Sequence, residues 1–287
     1  MVENQGKMGV NRKPIGVFDS GLGGLSVLRA IRQELPGEDV LYFADQAHVP
    51  YGSRTLEQVR EFSEEITRFL LQHGAKLVVV ACNTASAAAL LYLRQVIPGI
   101  PFVGMEPAVK PAAEHTQTGV VGVLATPATF QGALYASVVE RFAGNVKIIQ
   151  ATCPGLVQQV EKGELESVET RRILESALAP MLSQGIDTVV LGCTHFPFVI
   201  PLIQKITGPL VRVIDPAPAV ARQVARLLDT HQMLSGKRSK GEIRFYTTGE
   251  SAPMCSLLQP LLGETGEVSH VRWDGLKIFI PLKTRGK

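Results

Sequence analysis

The chain has 287 residues, 45% of them hydrophobic, and a formal net charge of +3. That is enough apolar material to bury a sizeable core and to build two domains, which excludes a disordered chain and points to a soluble globular protein. The basic residues are scattered apart from Lys237-Arg238-Ser239-Lys240, which sits between Gly236 and Gly241 and reads as a solvated loop rather than a nucleic-acid patch.

Met1 to Pro14 are polar and lack the apolar run of a signal peptide, which argues for a cytoplasmic protein. The first strand, Pro14 to Phe18, stops at Asp19-Ser20-Gly21-Leu22-Gly23-Gly24. A helix follows with Leu25, Leu28, Ile31 and Leu35 on one face, closed by Pro36-Gly37. Gly21, Gly23 and Ser26 fall one small residue short of the dinucleotide fingerprint, and the Asp19 carboxylate would face a pyrophosphate, so nucleotide binding is disfavoured. The strand Val40 to Ala44 ends at Asp45, and its loop carries Pro50-Tyr51-Gly52, a turn that also presents an aromatic hydroxyl. An amphipathic helix with Val59, Phe62, Ile66, Phe69 and Leu70 in register leads to Gly74. The apolar run Leu77 to Val80 then breaks at Cys82-Asn83-Thr84-Ala85-Ser86 and continues as an Ala/Leu-rich helix. Cys82 therefore lies at a helix N-terminus, where free N–H groups and the helix dipole favour a thiolate. The strand Phe102 to Met105 closes this part of the chain.

A second cycle repeats the first. Gly122-Val123-Leu124-Ala125-Thr126 matches Gly16-Val17-Phe18-Asp19-Ser20, the strand from Val146 to Cys153 matches the one ending at Asp45, and Thr188 to Cys193 matches the one ending at Cys82, all at nearly constant offset. Its helices carry Tyr135, Val138, Val139 and Phe142, then Val157 and Val160, then Ile173, Leu174 and Leu178. Strands alternating with helices predict parallel sheets covered on both faces, and the internal repeat predicts two similar α/β halves related by a pseudo-twofold, with Cys82 and Cys193 facing each other across a cleft. The strand at Leu210 to Ile214, the helix with Val220, Val224 and Leu227, the strand Ile243 to Thr248 and the helix Met254 to Leu262 are expected to complete the first unit. The expected division is residues 1–105 with 213–287 as one α/β domain, and 106–212 as the other. The uncharged windows Leu77 to Leu93 and Thr188 to Gln204 are each broken by polar residues or Pro and fall short of the ~20 apolar residues of a membrane span.

Four cysteines, Cys82, Cys153, Cys193 and Cys255, are too few and too widely spaced for a disulfide framework or zinc ribbon. Any one alone reads as an inert buried residue. A repeated strand-Cys-Thr-helix arrangement instead suits paired acid/base groups on opposite sides of a substrate, one starting as thiolate and one as thiol, with Asp19 and His195 as helpers. Two other readings stay open on the residues alone: a Cys/His thiol nucleophile at Cys193 and His195, which leaves Cys82 unexplained, and a metal site from Cys82, Cys193, His195 and an aspartate, which lacks the usual ligand spacing. Glu161 reads as a surface residue, and Thr84, Ser86 and Thr194 as helix caps.

Asp19-Ser20-Gly21-Leu22-Gly23-Gly24, Pro50-Tyr51-Gly52, Ala81-Cys82-Asn83-Thr84-Ala85, Glu106-Pro107-Ala108, Ala125-Thr126-Pro127-Ala128-Thr129 and Gly192-Cys193-Thr194-His195-Phe196-Pro197 occur in this order between about Ile15 and Leu262. As an ordered set they closely resemble the aspartate/glutamate racemase family. The resemblance implies cofactor-independent interconversion of L- and D-glutamate in support of peptidoglycan synthesis, with no metal. Cys82 would take the α-proton of the D-enantiomer and Cys193 that of the L-enantiomer. Asp19, Ser20, Tyr51, Gly52, Asn83, Thr84, Thr129, Thr194 and His195 would line the site, with Glu161 as a helper beside His195. The implied partner is a small-molecule substrate, glutamate, with no membrane and no nucleic acid; a homodimer stays open. Aspartate as substrate, and a non-catalytic regulatory protein on the same scaffold, are the alternatives, and both retained cysteines favour the enzyme.

Overall fold

The computed structural model describes residues 12–142 and 144–281. The first half runs β1 (Ile15–Asp19), α1 (Leu25–Glu34), β2 (Val40–Ala44), α2 (Leu56–Gln72), β3 (Leu77–Val80), α3 (Asn83–Val96) and β4 (Phe102–Val103). The second runs α4 (Val109–His115), β5 (Val120–Ala125), α5 (Pro127–Gln131), α6 (Ala133–Phe142), β6 (Lys147–Ala151), α7 (Leu156–Glu161), α8 (Val168–Leu182), β7 (Thr188–Gly192), α9 (Ile200–Thr207) and β8 (Arg212–Ile214). The tail is α10 (Ala217–Thr230), β9 (Ile243–Thr247), α11 (Ser251–Leu262), β10 (Val268–His270) and a short hairpin, β11 (Arg272–Asp274) with β12 (Lys277–Phe279).

Two parallel sheets carry these elements. In the first the order is β10-β9-β2-β1-β3-β4, and in the second β6-β5-β7-β8. The four strands of each half thus follow one plan: the first strand lies between the second and third, and the fourth flanks the third. This is the physical form of the sequence repeat. It also makes β8 the counterpart of β4, because β8 pairs with β7, Val189 opposite Val213. Residues 213 and 214, expected with the tail in the first unit, belong to the second sheet, whereas β9 and β10 extend the first beyond β2. The short run Arg-Val-Ile carries nothing in its residues to say which sheet it joins; only pairing decides.

The strands read as unbroken apolar runs because helices cover both faces. Val17, Tyr42 and Val79 enter one core cluster with α1, while Phe18, Phe43, Val78 and Val80 enter another with α2 and α3, which is the two-residue period of a strand buried on both sides. Helix α2 starts with a capping box, the Thr55 side chain accepting from Gln58 and the Gln58 side chain accepting from the Thr55 N–H, and buries Val59, Phe62, Ile66, Phe69 and Leu70 as its periodicity requires. The Lys237-to-Lys240 stretch is loop, with Lys237 paired to Asp39 and Lys240 to Glu264. Among the described residues no helix is long and apolar enough to cross a membrane.

At the amino ends of the first sheet the Lys76 ammonium and Glu38 carboxylate form a buried pair at 2.6 Å. Glu38 also accepts from the Ser235 N–H at 2.7 Å, and Lys76 donates to the Met233 carbonyl at 2.7 Å, so the pair pins the loop between α10 and β9 to the sheet. Glu38→Ala leaves the buried ammonium without its carboxylate and should lower unfolding free energy by about 3–5 kcal/mol in urea titrations, whereas Glu38→Leu with Lys76→Met should recover most of it.

Candidate active site

In each sheet the chain leaves the first strand to one side and later returns to the other, so the crevice at the carboxyl ends of β1 and β3, or of β5 and β7, is where an open α/β sheet places ligands. Asp19 ends β1 and Cys82 follows β3; Thr126 follows β5 and Cys193 follows β7. One cavity joins the two crevices. Ser20, Tyr51, Gly52, Cys82, Asn83 and Thr84 line it from the first half, and Thr126, Cys193, Thr194 and His195 from the second. The two cysteines that the repeat makes equivalent thus share a single small space of about 20 Å³, close to the room one water needs.

On the first wall Cys82 caps α3, its sulfur accepting from the Ala85 N–H at 3.4 Å. Its position at the helix terminus agrees with the sequence reading; its acidity does not. Burial pushes the thiol well above the ordinary cysteine value, the nearby Asp19 charge adds to this, and the Ala85 N–H offsets only part. Beside it the Asn83 side chain is buried with neither its amide nitrogen nor its oxygen partnered among the described residues, an arrangement that proteins avoid unless a ligand or water completes it. Asp19 is fully buried behind this wall and accepts from Gly24 at 2.8 Å, Gly21 at 3.3 Å and the Thr194 hydroxyl at 3.3 Å. Burial raises its carboxyl above the usual value despite the opposing His195 charge and the Gly24 N–H.

On the second wall His195 Nδ1 lies 3.8 Å from the Cys193 sulfur, and Nε2 lies 2.6 Å from Glu161 Oε1. Burial alone would lower the imidazole, but its bonds to Cys193 and to the Glu161 carboxylate prevail and hold it well above the ordinary histidine value. Glu161 ends α7 and is not the surface residue its pattern suggests. It also accepts from the Leu22 N–H at 2.6 Å and from Gln46 Nε2 at 2.8 Å, both in the first half of the chain. Burial would raise the carboxyl; the bonds from His195, Leu22 and Gln46 instead hold it below the usual range. The glycine loop after β1 serves this contact. A Cβ at Gly21 would run into the Glu161 carboxylate and one at Gly23 into the His195 ring, so these glycines admit groups from the other half rather than a phosphate.

Two expectations change in detail, and one residue enters that carried none. Thr129 is buried but set back from the cavity, its hydroxyl 2.9 Å from that of Thr126 and 3.4 Å from that of Thr84. Thr126 takes the lining position, because the residue between the strand end and the helix faces the crevice while Thr129 lies one turn inside α5. Tyr51 lines the cavity but commits its hydroxyl to Asp45 Oδ2 at 2.7 Å, leaving the ring as the wall. Gln46, whose sequence context gives no sign of a role, reaches Glu161 only because the two halves pack together. Among the described residues no group of three or more His, Cys, Asp or Glu side chains is placed to hold a metal ion.

The sequence matches the profile of the Asp/Glu/hydantoin racemases over residues 15–224. It is 49% identical over 264 residues to a glutamate racemase of Ectopseudomonas mendocina (strain ymp), covering 92% of this chain and 100% of that protein. A crystal structure of a glutamate racemase from Bacillus anthracis superposes with a TM-score of 0.82 at 33% identity, covering 93% of this chain and 99% of that one. One from Francisella tularensis, solved in complex with D-glutamate, gives 0.79 at 30% identity, covering 91% and 98%.

The raised histidine and lowered glutamate fix a pH window. The stability that His195 contributes is fully present below its unfolded value of about 6.5 and is lost as pH rises through the elevated folded value. That of Glu161 is present above about 4.5 and is lost as pH falls through the depressed value. The imidazole should therefore remain charged through neutral pH in an NMR titration, and Glu161→Gln should move its midpoint downward. An unmoved midpoint would show that Glu161 does not hold the proton there.

Proposed function

Because this chain belongs to the Asp/Glu/hydantoin racemase family and is an amino-acid racemase, we propose that it interconverts L- and D-glutamate without a cofactor, using Cys82 and Cys193 as the two acid/base groups. The observation that carries this reading is the equivalence of the two cysteines: each follows the third strand of its own half, and both line one cavity. Inverting a carbon requires a proton to leave one face and another to arrive at the opposite face, and two thiols on opposing walls suit that demand. Cys82 removes the α-proton of D-glutamate while Cys193 protonates the other face; the roles reverse for L-glutamate.

The surrounding groups fit this chemistry. Asn83, whose side-chain amide has no hydrogen-bond partner among the described residues, is available for a substrate carboxylate, helped by the N–H groups at the start of α3, while the hydroxyls of Thr84 and Thr194 line the cavity already bonded to Thr126 and Asp19. Asp19 orients Cys82. His195, charged and held by Glu161, balances the Cys193 sulfur when that atom acts as base. Burial opposes a Cys82 thiolate in the closed site, so the substrate's α-ammonium supplies the positive charge that permits it. The cavity of about 20 Å³ adjoins a wider groove of about 450 Å³ that shares Pro50, Gly52, Thr126 and Val157 with it, which is the side from which a substrate would enter. Glutamate is preferred to aspartate on the strength of the named relatives. D-glutamate made in the cytoplasm would feed peptidoglycan synthesis, cell-wall biogenesis and thus cell shape.

Circular dichroism of L-glutamate incubated with the protein and no added cofactor should decay to zero, and aspartate should react far more slowly. Cys82→Ser and Cys193→Ser should each reduce racemisation by about 10²-fold or more. Near-normal turnover in either variant would remove the two-thiol mechanism, and persistent optical activity with the unaltered protein would remove the racemase reading.

A further inference from the structure

Behind the Tyr51 wall of the cavity lies a buried carboxylate that none of the proposed steps uses. Asp45 follows β2, is fully buried, and accepts four hydrogen bonds. Tyr51 OH at 2.7 Å and His48 Nδ1 at 2.9 Å bond Oδ2, while Thr248 Oγ1 at 2.8 Å and Trp273 Nε1 at 2.8 Å bond Oδ1. A carboxylate has about four acceptor positions, so this one is saturated, and removing any donor leaves a buried lone pair unfilled. Three of the four donors come from near the cavity or from the sheet beside it. Trp273 does not: it belongs to the β11–β12 hairpin, outside both parallel sheets and far along the chain.

The hairpin is anchored so that its indole reaches inward. Glu65 on α2 accepts from Lys277 Nζ at 2.9 Å and from the Ile278 N–H at 3.2 Å. The indole packs on Phe62, ring centres 5.6 Å apart, and meets the His48 ring edge-on at 5.2 Å, while His48 stacks on Phe62 at 3.9 Å. Tyr51 in turn lies 5.8 Å from Phe62. The turn Pro50 to Gly52, which forms part of the cavity wall, is thus held by an aromatic stack on one side and by the Asp45 carboxylate on the other, and Trp273 contributes to both.

We propose that Trp273 is a positioning residue: its indole N–H fixes Asp45, and Asp45 fixes Tyr51 and the Pro50–Gly52 wall against which the substrate is bound. The consequence for substrate binding rests on the racemase reading of the cavity; the ordering of the wall does not. Since Trp273 touches no reacting atom, its loss should weaken substrate binding and leave the chemical step nearly intact. L- and D-glutamate are equal in free energy, so any change in kcat/KM must be the same in both directions.

The test is Trp273→Phe, which keeps an aromatic ring in the stack while removing the N–H together with part of the indole's area. Expected is a rise in KM of about fivefold for both enantiomers with kcat within about twofold, because only part of the loss of a buried charge-assisted hydrogen bond is passed on through Asp45 to the wall. Backbone amides of residues 47–54 should exchange with deuterium at least about fivefold faster, with those of β1 unchanged. Thr248→Val removes a different donor to the same carboxylate, together with the acceptor of the Ala47 N–H at 2.9 Å, without touching the hairpin, and should raise KM at least as much. If both variants keep wild-type KM, or if faster exchange in Trp273→Phe is confined to residues 268–279, the hairpin does not position the wall and the proposal is overturned. Should the unaltered protein fail to racemise glutamate, the functional reading falls, and the exchange measurement still decides whether Trp273 orders residues 47–54.

Discussion

The contact on which the site depends is the Glu161 carboxylate at the junction of the two halves. It ends a helix of the second half, yet two of its three partners, the Leu22 N–H and the Gln46 amide, belong to the first, and the third is the His195 ring beside Cys193. A carboxylate largely withdrawn from water is tolerated only when its charge is answered, and here the answer comes from both sides of the cavity at once. The carboxylate that bonds across the halves is also the one that, with Cys193, holds the histidine charged. The junction of the halves and the electrostatics beside the second cysteine therefore share one residue. The glycines after β1 follow from it, since Gly21 and Gly23 leave the space that Glu161 and His195 occupy.

A second constraint is duplication. Two sheets of the same strand order, each with a crevice between its first and third strands, provide equivalent positions for Cys82 and Cys193. The surroundings of those positions have diverged. Cys82 is flanked by the buried Asp19 carboxylate and Cys193 by the His195 imidazole, so one thiol has a negative neighbour and the other a positive one. In the proposed reaction this asymmetry lets two like groups occupy different protonation states at the start of a turnover.

The extension of the first sheet breaks the symmetry further. Strands β9 and β10 and the terminal hairpin have no counterpart in the second half. They bring Thr248 and Trp273 to Asp45, so the first wall of the cavity is reinforced by residues from the end of the chain while the second is reinforced by Glu161. Both reinforcements end on a carboxylate that takes bonds from residues distant in sequence, Thr248 and Trp273 at Asp45 and Leu22 and Gln46 at Glu161.

The sequence alone determined the alternation of strand and helix, the repeat, and the place of both cysteines at strand ends, because each rests on local periodicity or on residues adjacent along the chain. Asn83, Thr84, Thr194 and His195 lie within a few residues of a strand end; His195 was legible from its place beside Cys193, but the place of the others in the site, like that of Tyr51, was implied by the family resemblance and not by local pattern. Tertiary structure decided what depends on pairs far apart. Strand β8 joined the second sheet through its pairing with β7. Glu161, polar on a short helix and outwardly a surface residue, became the bridge between halves, and Gln46 gained a role with it. Thr126 displaced Thr129 at the cavity because only the helix start faces the crevice. The acidity of Cys82 does not follow from its helix terminus, since desolvation and the Asp19 charge exceed what one N–H group returns. Local pattern records which way a side chain can point; burial, partner and charge are set by whatever the rest of the chain brings to meet it.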